Sequence, residues 1–282
     1  MGITLVSRRC LAMAASLNTM AWGLEMKSLR TVLLLGALQL AAVGTAFAQS
    51  GLDQVRAAGV LKVGTEGTYA PFTFHDASGA LTGFDVEIAR AIASRIGVKA
   101  EFVEGKWDGL IAGLDAQRYD AVINEVSITP ARQVKYDFSA PYIVSKTVLV
   151  VRSDNTSIKV VTDLKGKKAA ESLTSNFGQL AQKYGAVLVA TDGFNQSADL
   201  VQAGRADATF NDSLSFLDFK KHRPDAKLKV AATDPSSDAS GVIIRKGNPE
   251  LLAAINHALA QIKADGTYQR ISHKYFGEDV SH

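Results

Sequence analysis

One eight-residue pattern occurs twice, and it constrains the fold more than any other feature. Arg118-Tyr119-Asp120-Ala121-Val122-Ile123-Asn124-Glu125 and Arg205-Ala206-Asp207-Ala208-Thr209-Phe210-Asn211-Asp212 both read Arg-x-Asp-Ala-x-x-Asn-acid. Each follows a short helical pattern, at residues 110–116 and 198–203. Short similarity is cheap, and any helix–turn–strand unit can produce it. If the likeness is structural, the chain builds two similar α/β lobes, and each offers a strand end to a shared cleft.

The surrounding pattern follows the same grammar. Apolar runs at 60–64, 100–103 and 119–124 read as strands, as do 168–171, 187–190, 208–210 and 242–244. Helical patterns lie between them. Phe84, Ile88, Ile92 and Ile96 recur at a spacing of four, and Gly97 stops the run. Residues 107–116 read as one short helix, and Leu252, Ile255, Leu259 and Ile262 share a face of a long one. Alternating β and α with short loops predicts an α/β protein of two lobes. The chain crosses between them near 143–145 and again near 237–241, within a stretch that reads as polar and flexible. Two tethers restrict relative motion to hinge closure. The expected division is 50–144 with 237–282 as lobe 1 and 145–236 as lobe 2.

The N-terminus reads as a targeting region. Met26-Lys27-Ser28-Leu29-Arg30 is a basic start, residues 31–46 are largely apolar, and Ala46-Phe47-Ala48 is a small-x-small cleavage signal before Gln49. Residues 1–48 are thus an upstream segment plus a signal peptide that begins at about residue 26. The leader holds Arg8, Arg9, Lys27 and Arg30 against Glu25, so its removal takes the chain from +3 to neutral. With no basic run interleaved with aromatics, nucleic acid is excluded as a partner. The single cysteine, Cys10, lies in the leader, which excludes disulfides and thiol chemistry from the mature chain and leaves no lipid-attachment cysteine near Ala48. A cleaved, soluble, exported protein in a periplasm is the expectation, and no later span is apolar enough to cross a bilayer. The five histidines are scattered and expected at the surface, and no metal-ligand cluster, nucleophile–His–acid order or phosphate loop points to a cofactor or a reaction.

Two segments carry the candidate chemistry. Ser127-Ile128-Thr129-Pro130-Ala131-Arg132 follows a strand, and an arginine there is suited to grip a carboxylate with its planar fork. Asn211-Asp212-Ser213 ends another strand and offers a carboxylate to an ammonium. Together they suggest a receptor for a free amino acid.

Tyr69-Ala70-Pro71-Phe72, Gly83-Phe84-Asp85-Val86-Glu87, Trp107-Asp108-Gly109-Leu110-Ile111, 127–132, 204–212 and Lys263-Ala264-Asp265-Gly266-Thr267 together resemble the extracellular solute-binding proteins of polar amino acid ABC importers. The resemblance spans the mature chain with its motifs in order. Lys106-Trp107-Asp108-Gly109-Leu110, Leu173-Thr174-Ser175-Asn176 and Asn211-Asp212 are similar to the cystine-binding branch. The resemblance implies a two-lobed periplasmic-binding-protein (type II) fold with two hinge crossovers. It also implies a monomer that binds an amino acid between the lobes and hands it to a membrane permease, without a cofactor and without catalysis. By position, Arg132, helped by Ser127, would take the α-carboxylate and Asp212 the α-ammonium. Thr174 and Ser175 would add hydroxyl and N–H donors, Tyr69 and Trp107 would pack on the side chain, and Asn124, Glu66 and Glu125 would complete the site.

Other roles stay open for these residues. Arg132 can pair with Asp137 at the surface, Asp212 can cap the helix from Ser213, and Trp107 can be core. Thr174 and Ser175 can be a plain helix cap. Glu66 and Glu125 read more readily as solvated than as ligand-binding. Glu125 stands where the cystine branch resembles Gln, so a carboxylate there would favour a cationic ligand such as arginine or lysine. The fold also resembles periplasmic cyclohexadienyl dehydratases, in which Glu125 or Glu66 would be the acid.

Overall fold

The computed structural model describes residues 51–282, excluding the side chains of 236–238; the expected signal peptide lies outside the described residues. The strands are β1 (Val60–Thr65), β2 (Thr68–Tyr69), β3 (Thr73–His75), β4 (Leu81–Thr82), β5 (Lys99–Glu104), β6 (Ala121–Val122) and β7 (Tyr136–Phe138). They continue as β8 (Ile143–Arg152), β9 (Lys168–Glu171), β10 (Val187–Ala190), β11 (Ala208–Asp212), β12 (Leu228–Ser240) and β13 (Ile243–Arg245). One sheet has the order β5-β1-β6-β13-β7, a second β10-β9-β11-β8-β12, and a small third β2-β3-β4. The two five-stranded sheets form two lobes of a mixed α/β protein. Among the described residues, no helix is long and apolar enough to cross a membrane.

The helix Phe84–Ile96 shows how the sequence fixes the first lobe. Phe84, Ile88 and Ile92 are fully buried, and each contributes about 1.5–3 kcal/mol by leaving water. Gly97 ends the helix in the left-handed region, its N–H donating to the carbonyls of Ala93 and Ser94. Gly83 opens it at φ 130, where a Cβ would lie 2.2 Å from the Phe72 carbonyl oxygen, so no other residue fits. The helix Pro249–Ala264 shares this core through Ile255, Leu259 and Ile262.

The repeated pattern is structural. Asp120 receives the Lys62 N–H on its carboxylate at 2.9 Å, and its own N–H donates to the Lys62 carbonyl at 2.9 Å. Asp207 does the same with Lys168, at 2.7 Å and 2.8 Å. Val63 then pairs in parallel with Ala121, and Ala169 with Ala208. The same octapeptide therefore locks a strand beside its parallel neighbour in both lobes.

The crossing segments differ from the expectation. Residues 237–240 belong to β12 rather than to a flexible loop. They pair with the start of β8, with Val144 opposite Ala239 and Ile143 opposite Ser240. The Gly241 N–H donates to the Val126 carbonyl, and the Ile128 N–H to that of Ala239. Each tether thus satisfies the backbone of the other, which polar composition alone does not reveal. Residues 107–116 form two short helices, Trp107–Leu110 and Ala112–Asp115. Residues 119–124 supply only the two-residue β6. Arg132 sits in the helix Pro130–Lys135, whose Thr129 cap accepts the Arg132 N–H at 3.3 Å.

Candidate functional site

The cleft between the lobes is closed by side chains that reach across it. The Tyr69 hydroxyl donates to Asn211 Oδ1 at 2.9 Å, and the Ser215 hydroxyl to the Ala70 carbonyl at 2.9 Å. Asp108 Oδ1 accepts both the Thr174 N–H at 3.0 Å and its hydroxyl at 2.9 Å. Lys106 Nζ lies 2.6 Å from Asp192 Oδ2. Arg132 Nη2 donates to Asn176 Oδ1 at 3.4 Å.

Behind these contacts is a cavity of about 50 Å³, room for a few water molecules. Glu66, Tyr69, Trp107 and Glu125 line it from the first lobe, and Glu171, Ser175, Phe194 and Asn211 from the second. Thr68, Tyr69 and Phe194 also border an adjoining groove of about 550 Å³.

Three carboxyl side chains face this small space. Glu66 and Glu125 are 9% and 5% exposed, which corrects the expectation of solvated surface acids. The cause is tertiary: both side chains line a cavity that residues of both lobes enclose. Asn124 holds Glu66 from two sides, accepting its N–H at 2.7 Å and donating to its carboxylate at 2.7 Å. Burial raises the Glu66 carboxyl to about 7 against the lowering effect of Asn124. Glu125 sits in the left-handed region at φ 49. Its N–H donates to Asp85 Oδ2 at 2.5 Å and to the Tyr142 hydroxyl at 3.2 Å, and its Oε1 accepts the Ser240 hydroxyl at 2.9 Å. Its side chain therefore touches the second crossing strand as well as the cavity. Asp85, fully buried beneath it, is raised to about 7 by burial. Glu171 is 3% exposed. Its Oε1 accepts the Phe210 N–H at 2.6 Å and the Thr209 hydroxyl at 3.3 Å, and burial pushes its carboxyl well above the usual carboxylate range.

The structure separates the other expected residues into neighbours of the cavity and supports behind it. Arg132 is half-buried, with its guanidinium 5.3 Å from the centre of the Trp107 ring. Its Nη1 donates to the Ser127 carbonyl at 2.9 Å, so Ser127 orients the arginine through its backbone. Trp107 reaches the cavity with its Nε1 buried and without a hydrogen-bond acceptor among the described residues. Asp212 is 2% exposed. Its Oδ1 caps the helix Ser213–His222 by accepting the N–H groups of Leu214 at 2.8 Å and Ser215 at 3.2 Å. Its Oδ2 accepts the Ser145 hydroxyl. Thr174 differs from the expected free donor, because its N–H and hydroxyl both go to Asp108 across the cleft. The Ser175 hydroxyl caps the helix Asn176–Lys183 and donates to the Ser172 carbonyl at 2.7 Å, which uses its proton.

Sequence reasoning missed Glu171. The repeat does contain a signal for it: Glu171 stands three residues past Lys168, as Thr65 stands three past Lys62. Phe177, Phe194 and Phe210, also cavity-lining, were missed because apolar residues in helices and strands read as core.

Comparison with known proteins places these features in a family. The L-cystine-binding protein TcyJ of Escherichia coli (strain K12) is 43% identical over 257 residues, covering 88% of this chain and 96% of that protein. An ancestral arginine-binding protein bound to arginine superimposes with a TM-score of 0.74 at 41% identity, covering 78% of this chain and 99% of the other. The L-cystine solute receptor of Neisseria gonorrhoeae in its unliganded open conformation is 46% identical over 83% of this chain and 99% of its own, yet its TM-score is only 0.56. The more similar sequence in an open state thus fits less well than the less similar one with its ligand, in keeping with the bonds across the cleft. The model of the bacterial extracellular solute-binding proteins, family 3, matches residues 61–278. The chain belongs to that family, and the curated relatives it matches are transporter binding proteins.

Proposed function

We propose that this chain is the periplasmic amino-acid receptor of an ABC importer, with L-cystine as its favoured ligand and a membrane permease as its partner. One observation carries the reading. A guanidinium and a carboxylate stand on opposite lobes beside one cavity: Arg132 touches the cavity residues Trp107 and Asn176, and Asp212 directly follows the cavity residue Asn211. A zwitterion spanning the cleft gains both charge-assisted contacts only when the lobes close. That differential affinity shifts the population toward the closed state. Sequence identity to L-cystine-binding relatives supports cystine, as does the amide and hydroxyl lining from Ser175, Asn176 and Asn211.

A second reading is a basic amino acid. Glu66, Glu125 and Glu171 around the cavity favour it, because a buried carboxylate is stable only with a cation or a proton. The likeness to an arginine-bound structure supports it as well. A thermal-shift screen of the chain from residue 49 onward against L-cystine, L-arginine, L-lysine and L-glutamine decides between them. A ligand that binds only the folded form raises the melting temperature by mass action. The largest shift is expected with L-cystine; a shift with the basic amino acids alone would select the second reading, and no shift with any would reject both.

A further inference from the structure

Glu171 stands out because lobe 1 uses the matching position differently. There the residue is Thr65, whose hydroxyl donates to Asn124 Oδ1 at 3.1 Å and is hydrogen-bonded to the Thr73 hydroxyl at 2.8 Å, so it serves only to brace the strand end. In lobe 2 the strand end carries a carboxyl that is 3% exposed and lines the ligand cavity. The backbone at this site needs one acceptor, for the Phe210 N–H, and Glu171 Oε1 supplies it. Its Oε2 accepts no hydrogen bond among the described residues. A neutral residue would satisfy the strand at lower cost, since burial disfavours a charged carboxylate. The cavity walls opposite are acidic too, with Glu66 and Glu125, and among the described residues no lysine or arginine lines the cavity.

We propose that Glu171 is a specificity-determining residue, and that its Oε2 receives a second cationic nitrogen at the far end of the ligand. The proposal rests on the amino-acid-receptor reading and goes beyond the grip on the α-carboxylate and α-ammonium. Two ligands share the chemistry: cystine, whose far half carries a second ammonium, and a basic amino acid with a side-chain ammonium or guanidinium. Glu171 thereby separates diamino ligands from neutral ones of similar length such as glutamine. Burial raises its carboxyl, which is the expected state of an acid awaiting a cation.

The test is calorimetric titration of wild type and Glu171→Gln with L-cystine, L-arginine and L-glutamine. Gln keeps the acceptor for the Phe210 N–H and removes only the charge. The cationic ligand that wild type binds is expected to lose affinity at least about tenfold in the variant, while L-glutamine binding stays equal or improves. A loss confined to cystine assigns Glu171 to its distal ammonium, and a loss confined to arginine assigns it to a basic side chain. Equal changes for all three ligands, or none for any, would overturn the proposal while the receptor reading stands. If wild type binds none of the three, the receptor reading falls and takes this proposal with it. A Glu171→Leu variant checks the outcome independently: it should repeat the selectivity change even if its melting temperature falls.

Discussion

The two copies of the octapeptide share a beginning and differ at the end. Asp120 and Asp207 do the same work, each tying its own strand to the neighbouring one through paired backbone and side-chain hydrogen bonds. The last residue is where they part. Glu125 turns into the left-handed region and joins Asp85, Tyr142 and Ser240 at the crossing strands. Asp212 stays extended at φ −66 and starts a helix. One scaffold thus yields two acids with different duties, one between the cavity and the end of β12 and one at the start of a helix. The strand-locking residue is interchangeable between lobes, and the strand-end residue is not.

The largest effect that separates the copies is expected from charge removal at the last position. Asp212→Asn keeps a good helix cap, so the melting temperature should hold. Loss of the ammonium's partner should cost about 2–5 kcal/mol of binding. Glu125→Gln should cost less than about 1.4 kcal/mol, or tenfold. Calorimetry on both variants checks this, and equal losses would break the distinction.

An intermediate effect is expected from pH. Burial holds the Glu66 carboxyl at about 7, above the ordinary carboxylate range, so it is protonated in the closed cleft below that value and charged above it. Pairing with a cation requires the charged form. Affinity for L-arginine relative to L-glutamine should therefore rise about tenfold between about pH 5.5 and about pH 8. A ratio that falls over that range would mean that Glu66 serves as a neutral donor instead.

The smallest effect tests the shared half of the pattern. Asp120→Ala and Asp207→Ala should each cost about 1 kcal/mol in urea unfolding, because each removes one acceptor from a backbone N–H. Similar costs would establish a common device in the two lobes. A large cost in one alone would make the likeness superficial.

Local signals made much of this molecule legible. Phe84, Ile88, Ile92 and Ile96 with Gly97 define a helix by periodicity and a stop. The repeated octapeptide announced two lobes. Tyr69, Trp107, Ser175, Glu66 and Glu125 do reach one cavity. What stayed hidden depends on contacts between lobes. Glu66 and Glu125 read as solvated acids in the sequence, yet both are buried against one cavity lined from both lobes. Thr174 looks like a donor to a ligand until Asp108, 66 residues away in the chain, takes both its protons. The tether at 237–240 looks flexible until its ladder with β8 is drawn.

The central claim is that an amino acid bridges the lobes through Arg132. Its most direct test is calorimetric titration of wild type and Arg132→Ala with L-cystine, alongside their melting temperatures. Arg132 is half-buried in a short helix, so the fold should survive. Saturable binding is expected in wild type and none in the variant at the same concentrations, with melting temperatures alike. Wild-type affinity in Arg132→Ala would contradict the account.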